Sequence, residues 1–176
     1  EFTDLMQTLW REERNVTASG KYWSLNEAYI SPKPVNGRPI MVSAASSDAG
    51  LAYATRYSDL IFITSPGGAE ISDALETLPD HTQHIHAMAR AEGRKIRTVI
   101  NTHVICRETE KEVEAFCRAI IEGEDRGAVD GLMGSMTRGD QSSWRGHKRD
   151  QRIIGGNVHV SGTPEQVTEQ PAGLRA

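Results

Sequence analysis

Two serines stand where a short apolar run gives way to helix-forming sequence. Residues 40–45 have the composition of a buried strand, and Ser46 and Ser47 directly precede a predicted helix over 49–57. The first N–H groups of a helix lack backbone partners and lie at the positive end of its dipole, so a phosphate binds well there. The spacing therefore indicates a phosphate site. Simple capping of the helix is the alternative, and Asp48 favours it because a carboxylate repels a phosphate.

A histidine and an asparagine share one face of another predicted strand, over residues 96–106. Period-2 alternation puts Asn101 and His103 together, near the end of the strand. The other face is less polar and suits packing against helices; it carries Thr98, Ile100, Thr102, Val104 and Cys106. An imidazole exchanges protons near neutral pH, so His103 is a candidate catalytic residue with Asn101 beside it. A buried histidine bonded only to backbone is the alternative.

The remaining histidines and the two cysteines indicate no metal site. His81, His84 and His86 do not share one helix face, and no Cys or carboxylate has matching spacing, so a solvated helix face is the better interpretation. Cys106 and Cys117 lack a C-x-x-C pattern and are expected to be buried thiols. We find no Walker loop, dinucleotide-binding fingerprint, serine-hydrolase elbow or zinc-protease motif.

Composition excludes several classes of protein. The 176 residues carry a net charge of −4, which argues against a nucleic-acid binder or a polybasic membrane-surface protein. No apolar run approaches the roughly 18 residues that span a bilayer. Two cysteines make no disulfide framework, so we expect a cytoplasmic protein. The length predicts a single domain over residues 1–176.

The elements that must position these residues alternate between strands and helices. After a helix over 2–11 and an irregular excursion with short extended pieces over 16–39, we predict strands over 40–45, 59–64, 96–106 and 157–161. We predict helices over 49–57, 71–92, 109–122 and from 164, the last with Thr163 and Gln166 as a capping box. Continuous apolar strands alternating with helices predict an α/β fold with a parallel sheet. In the helix predicted over 71–92, Pro79 is a candidate break, and Gly93 follows as the C-cap.

The polar, glycine-rich segment 123–152 shows no period and is predicted to be a long loop. We interpret it as a mobile lid or a solvated loop. Its cationic residues would meet an anionic ligand: Arg138, Arg145, His147, Lys148, Arg149 and Arg152.

Three sequence runs together resemble the luciferase-like flavin-dependent monooxygenases. They are Pro39-Ile-Met-Val-Ser-Ala-Ala-Ser-Ser-Asp-Ala-Gly50, His103-Val-Ile-Cys-Arg-Glu-Thr109 and Gly162-Thr-Pro-Glu-Gln-Val167. The resemblance is to the branch of alkanesulfonate, dimethyl sulfone and pyrimidine monooxygenases. It covers nearly the whole chain, most weakly over 123–152.

The resemblance implies a partial (β/α)8 TIM barrel of the bacterial luciferase-like type. The chain would supply the C-terminal portion, without the first four strands or the last. A complete barrel needs at least about 200 residues, and an open arc of strands is an aggregation hazard. We therefore expect either a longer functional protein or partner chains that cover the open edges. The resemblance also implies that residues 123–156 are a lid insertion that closes over the flavin.

The resemblance further implies an FMN-dependent monooxygenase, an oxidoreductase that uses reduced FMN and O2 on a small organic sulfur or nitrogen compound. A separate flavin reductase would supply the FMN, and the protein would be a homo-oligomer. The position of Ser47 matches a serine that holds the flavin phosphate, and that of His103 an active-site histidine. Asn101 stands where the alkanesulfonate branch has Arg, which disfavours a sulfonate substrate. A deazaflavin-dependent oxidoreductase and a non-catalytic flavin-binding fragment are the alternatives.

Overall fold

The computed structural model describes residues 1–136, 146–155, 157–170 and 172. The chain forms two compact units, Glu1–Met41 and Val42–Ala176. No helix in the described ranges is both long and apolar enough to cross a membrane.

The first unit combines one helix with a hairpin. Helix α1 spans Phe2–Arg11, and strands β1 (Val16–Ser19) and β2 (Ser24–Ala28) pair antiparallel. The carboxylate of Glu1 accepts hydrogen bonds from the backbone N–H groups of Tyr22 and Trp23 at 2.9 and 2.8 Å. These bonds lower the pKa of Glu1. The excursion predicted over 16–39 therefore contains two short strands, paired as a hairpin whose register shifts between Val16 and Ala18.

The second unit begins with a three-stranded parallel sheet, as the sequence predicted. Strands β3 (Val42–Ala44), β4 (Leu60–Ile63) and β5 (Arg97–Ile100) lie in the order β3-β4-β5. Helix α2 connects the first two strands and helix α3 connects the second and third, at Asp48–Tyr57 and Ile71–Ala91. No closed barrel forms among the described residues, so the fold is a partial α/β barrel.

One face of this sheet packs against α2 and α3. Its side chains join a buried core that consists of Leu51, Ala54, Ile61, Ile63, Ala74, Leu78, Ile85, Ala89, Ile96 and Val158. The opposite face is more exposed: Val42 and Phe62 are 49% and 42% exposed. Helix α3 continues through Pro79 without the predicted break, and Gly93 follows it at a positive φ of 70°.

The predicted strand over 96–106 is divided at Asn101. Its first part, β5, pairs with β4, and its second part, β6 (Thr102–Cys106), pairs in parallel with β7 (Val158–Gly162). The predicted helix-packed face does not continue past Asn101, because Val104 is 54% exposed and Ile105 only 2%. His103 alternates with Val104 and so shares a face with the buried Ile105.

The segment predicted to be a loop contains two helices. After α4 (Glu110–Glu122), helices α5 (Arg126–Met136) and α6 (Arg149–Ile154) lie within 123–154. Gly residues at 127, 131 and 134 obscure the helical pattern of α5, because glycine disfavours helix interiors. The last helix, α7 (Pro164–Glu169), begins at Pro164 as predicted, and the N–H of Thr163 donates to Gln166 Oε1 at 2.8 Å.

Candidate functional site

The candidate site lies at the C-terminal edge of the three-stranded sheet. The strands end nearly level, because Ala44, Phe62 and Val99 are in register. We call the turn after β3, residues 46–50, the serine half of this edge. The histidine half consists of residues 69–70, 101–103, 146–155 and 157–159. In α/β barrels, ligands and catalytic groups collect at this end of the strands.

Ser47 caps α2 in the serine half. Its Oγ accepts from the N–H of Gly50 at 3.2 Å, and its carbonyl accepts from Leu51 at 2.8 Å. A hydroxyl that accepts can still donate its own proton. A Cβ on Gly50 would lie 3.0 Å from Ser47 Oγ, so the glycine keeps this turn compact.

The donor set of the serine half fits a phosphate. The N–H groups of Asp48 and Ala49 precede the first intrahelical bonds, and the hydroxyl of Ser47 adds a third donor. Ser46, half-buried, comes one residue before the cap. The carboxylate of Asp48 in the first turn opposes an anion, so both the predicted phosphate site and the simpler capping role agree with this geometry.

The loop after β4 adds a residue that the sequence analysis did not identify. Ser65 is 1% exposed, and its Oγ has no hydrogen-bond partner within the part of the chain that the structure describes. A buried hydroxyl without a partner costs roughly 1–3 kcal/mol. The only sequence signal is its position directly before Pro66, Gly67 and Gly68, which predicts a loop but not a buried serine.

Asn101 lies between β5 and β6, where the chain stops pairing with β4 and begins to pair with β7. Its carbonyl accepts from the N–H groups of Asn157 and Val158 at 3.1 and 3.3 Å, and the residue is exposed. The serine half lies two strands away, which corresponds to roughly 10 Å at the usual spacing between strands. The structure thus brings Asn101 and His103 to the same edge as Ser46 and Ser47, on separate strands.

His103 lies half-buried beside a second histidine. It is the cross-strand neighbour of His159, and the two ring centroids are 6.3 Å apart with planes at 69°. A Cβ built on Gly155, just after α6, would lie 3.7 Å from His103 Nδ1. The sequence could not reveal this pairing, because His103 and His159 are brought together only by the register of β6 and β7.

Helix α6 and the residues around it cover the histidine half. His147 and Gln151 are each 6% exposed. His147 Nε2 lies 3.1 Å from the carbonyl oxygen of Asn157, and Gln151 Nε2 donates to Glu70 Oε1 at 2.9 Å. The cover is therefore attached to the loop after β4.

The cationic residues predicted to meet an anion are only partly described. Arg149 bonds to Glu124 and Asp130, both at 2.9 Å, so its charge is already paired. These hydrogen bonds, that to Asp130 first, raise the pKa of Arg149. Lys148 is exposed. Arg138 and Arg145 lie outside the described residues.

Burial shapes the titration of two histidines. The pKa of His159 is lowered chiefly by burial and further by His103 and His147, while the carbonyl of Gly155 and the carboxylate of Glu70 act in the opposite direction. Burial also lowers the pKa of His81, with a smaller effect from His84. Within the described residues, no three His, Cys, Asp or Glu side chains are placed to hold a metal ion.

Comparison with known proteins identifies the family. The whole chain, residues 1–176, matches the family described as luciferase-like monooxygenase. It is 26% identical over 186 residues to an FMNH2-dependent dimethylsulfone monooxygenase of Pseudomonas putida, covering all of this chain and 49% of that protein. It is 26% identical over 110 residues to a pyrimidine monooxygenase of Caulobacter segnis, covering 62% and 30%.

A structural comparison agrees on the fold. The crystal structure of a long-chain alkane monooxygenase superposes with a TM-score of 0.76 at 17% identity, over 98% of this chain and 47% of that one. The chain thus spans about half the length of the dimethylsulfone monooxygenase and of the alkane monooxygenase. The chain belongs to the luciferase-like monooxygenase family.

Proposed function

We propose that this protein, in its full length, is an FMN-dependent monooxygenase that oxidises a small organic sulfur or nitrogen compound. Reduced FMN supplies the oxygen chemistry: one atom of O2 enters the substrate, the other leaves as water, and the flavin is oxidised. The observation that carries the proposal is the cap of α2 by Ser47 at the C-terminal edge, in a chain whose family includes an FMNH2-dependent relative.

The serine half provides the proposed phosphate anchor. Ser47 donates its hydroxyl proton, the N–H groups of Asp48 and Ala49 point out of the helix, and Ser46 precedes them. The buried hydroxyl of Ser65 at the same edge is a further polar atom that a bound group could satisfy. The carboxylate of Asp48 weakens this anchor. We expect the three donors, two N–H groups and the hydroxyl of Ser47, to outweigh that single charge.

The histidine half provides the proposed proton-exchanging group. The imidazole of His103 is the proposed general acid or base, and Asn101 presents a neutral amide where a fixed positive charge would favour a sulfonate. The half-buried position of His103 limits its access to water. We propose residues 123–156 as the cover that keeps water from the bound flavin.

The same proposal names the partners. A separate flavin reductase delivers reduced FMN, O2 and a small organic molecule are the substrates, and the protein acts as a homo-oligomer in the cytoplasm. Strands β3 and β5 stand at the two ends of the strand order β3-β4-β5. Because open sheet edges invite pairing, this order supports either a longer chain or an assembly.

The decisive experiment is a titration with oxidised and reduced FMN that uses two variants of one residue. Ser47→Asn and Ser47→Asp both keep a good helix cap and differ by one negative charge. We expect Ser47→Asp to weaken FMN binding at least about 10-fold relative to Ser47→Asn, equivalent to ~1.4 kcal/mol. Fluorescence and calorimetry measure the affinity, first for the 176-residue chain and then for a chain extended at both ends.

The outcomes separate the alternatives. Equal affinity of the two variants, or no FMN binding by the folded, extended chain, would overturn the proposal. Substrate oxidation by the extended chain with a flavin reductase must also cease without O2. Turnover that continues in strict anaerobiosis would instead indicate the deazaflavin-dependent oxidoreductase.

A further inference from the structure

His103 and His159 form a pair that is fixed from both strands. They are register partners in β6 and β7, so both side chains lie on the same face of this two-stranded sheet. The rings meet edge to face at a centroid distance of 6.3 Å, within the range of favourable aromatic contacts. Any movement of the His159 ring therefore changes the surroundings of His103.

The His159 ring has one defined tautomer in its neutral form. Nε2 lies 2.8 Å from the carbonyl oxygen of Gly155, and a carbonyl can only accept, so Nε2 carries the proton. Its backbone N–H donates to the carbonyl of Ala69 at 2.8 Å. His159 is thus tied to the end of α6 by its ring and to the loop after β4 by its backbone.

Gly155 joins the two rings into one unit. Its carbonyl receives the His159 ring, and its α-carbon lies beside His103 Nδ1, where an added Cβ would stand 3.7 Å from that nitrogen. The φ of 89° at Gly155 is one that residues with a side chain rarely adopt. The backbone conformation at Gly155 therefore places His103 and His159 against the same short stretch of chain.

The charges around His159 disfavour its cationic form. His103 and His147 are the nearby groups that repel a proton on this ring, and Glu70 is the one that attracts it. The carboxylate of Glu70 also accepts a hydrogen bond from Gln151, so one of its oxygens is already engaged. Burial acts in the same direction as the two histidines and is the largest cause of the lowered pKa of His159.

We infer that His159 is a positioning residue for His103: its ring, fixed by Gly155, holds the imidazole of His103 in place. The catalytic meaning of this pair rests on the proposed function, because only there does His103 act on a substrate. The pairing itself can be measured without flavin.

Two variants separate the ring of His159 from its hydrogen bond. His159→Phe keeps an aromatic ring against His103 and loses the donor to Gly155. His159→Gln keeps a donor at the position of Nε2 and loses the ring. His86→Gln, on α3, is the control for removal of one imidazole, because His86 is not among the groups that act on His159.

Nuclear magnetic resonance of the imidazole nitrogens and ring protons of the 176-residue chain reads the result. We expect the ring protons of His103 in the wild type to be shifted by the neighbouring ring. His159→Phe should retain most of that shift, and His159→Gln should abolish it. In the reverse experiment, His103→Gln should raise the pKa of His159, because a nearby positive charge is removed.

A His103 spectrum that is unchanged in His159→Gln would overturn the inference, as would a pKa of His159 that does not respond to His103→Gln. Titration of the wild type with FMN, in the 176-residue chain and in the chain extended at both ends, tests the proposed function separately. A normal His103–His159 signature without FMN binding by either chain would contradict the function and leave the pair intact. FMN binding with an unresponsive His103 would contradict only the pair.

Discussion

The hydrogen bonds within the serine half and those within the histidine half join residues at very different separations in sequence. In the serine half, Ser47 bonds to Gly50 and Leu51, within four residues of itself. In the histidine half, Gln151 bonds to Glu70 across 81 residues, and His159 bonds to Ala69 over a similar stretch. The serine half can form as soon as α2 forms, whereas the histidine half needs α6 and β7 to dock on a distant loop.

This difference predicts that the histidine half can be lost alone. Its attachment depends on a close approach of two backbones, where a Cβ on Gly68 would lie 2.7 Å from the carbonyl oxygen of Gly146. Glycine is needed on both sides, since Gly68 and Gly146 have φ values of 103° and 85°. The bonds of Ser47 in the cap of α2 stay within four residues of it.

The largest effect is expected from Gly68→Ala. The added methyl group must displace a backbone carbonyl and adopt an unfavourable φ, so the free energy of unfolding should fall by about 2–5 kcal/mol. Urea unfolding measures the loss. Amide exchange should rise at His159 and remain slow at Gly50, because the cap of α2 does not depend on Gly68.

The control for this substitution is Gly131→Ala in α5, where a Cβ would meet nothing within 4 Å. It should stabilise the chain by up to ~1 kcal/mol through helix propensity. An equal loss of amide-exchange protection at Gly50 and His159 in Gly68→Ala would show that the two halves unfold together. The histidine half could then not be lost alone.

A second test uses two glutamines with the same local geometry in different surroundings. Gln151 accepts from the N–H of Lys148 and donates to Glu70 at 2.9 Å, and it is buried. Gln166 accepts from Thr163 and donates to Glu110 at 2.6 Å in an exposed bond. Only the first belongs to the histidine half.

Replacing each glutamine by glutamate should separate them. Gln151→Glu brings two carboxylates together in a buried place and should cost about 2–3 kcal/mol at pH 7. Part of this loss should return near pH 4, where a shared proton can bridge the pair. Gln166→Glu should cost less than about 1 kcal/mol, because solvent screens the repulsion. Similar losses in the two variants, measured by urea unfolding, would mean that burial of Gln151 does not matter.

The same contrast in reach explains what the sequence could predict. The cap by Ser47, the capping box of Thr163 and Gln166, and the alternation of β3, α2, β4, α3 and β5 all depend on residues close in sequence. The sequence predicts each of these features correctly in kind, although the strand predicted over 96–106 is divided. The family resemblance also depends on short runs of 6–12 residues, and the match of the whole chain to the family confirms it.

The features that the sequence did not predict depend on distant partners. The predicted strand is divided at Asn101 because its hydrogen-bonded neighbour changes there from β4 to β7. No local sequence pattern marks that change. The sequence does not predict helices α5 and α6, because glycines and charges hide their period. Arg149 of α6 forms its ion pairs with Glu124 and Asp130, which lie about 20 residues earlier in the chain. The pairing of His103 with His159 likewise needs a register between strands more than fifty residues apart.

The smallest expected effect is a dependence of stability on pH that involves His159. Its pKa is lowered in the folded chain from an ordinary value of 6.5, so below about pH 6.5 the unfolded chain binds more protons. The free energy of unfolding should therefore decrease as the pH falls below 6.5, and this contribution should vanish at higher pH. His81 on α3, whose pKa is also lowered by burial, contributes with the same sign.

His159→Gln should remove one of these two contributions. Between pH 7 and pH 5 the wild type should lose more stability than the variant, by less than about 1.4 kcal/mol for each pH unit. Urea unfolding at several pH values measures the difference, with His86→Gln as the control and His81→Gln as the matched case far from the edge. A variant that lost stability faster than the wild type on acidification would mean that His159 prefers to be charged in the folded chain. The histidine half would then be held together by a cation rather than by the neutral ring that the lowered pKa of His159 indicates.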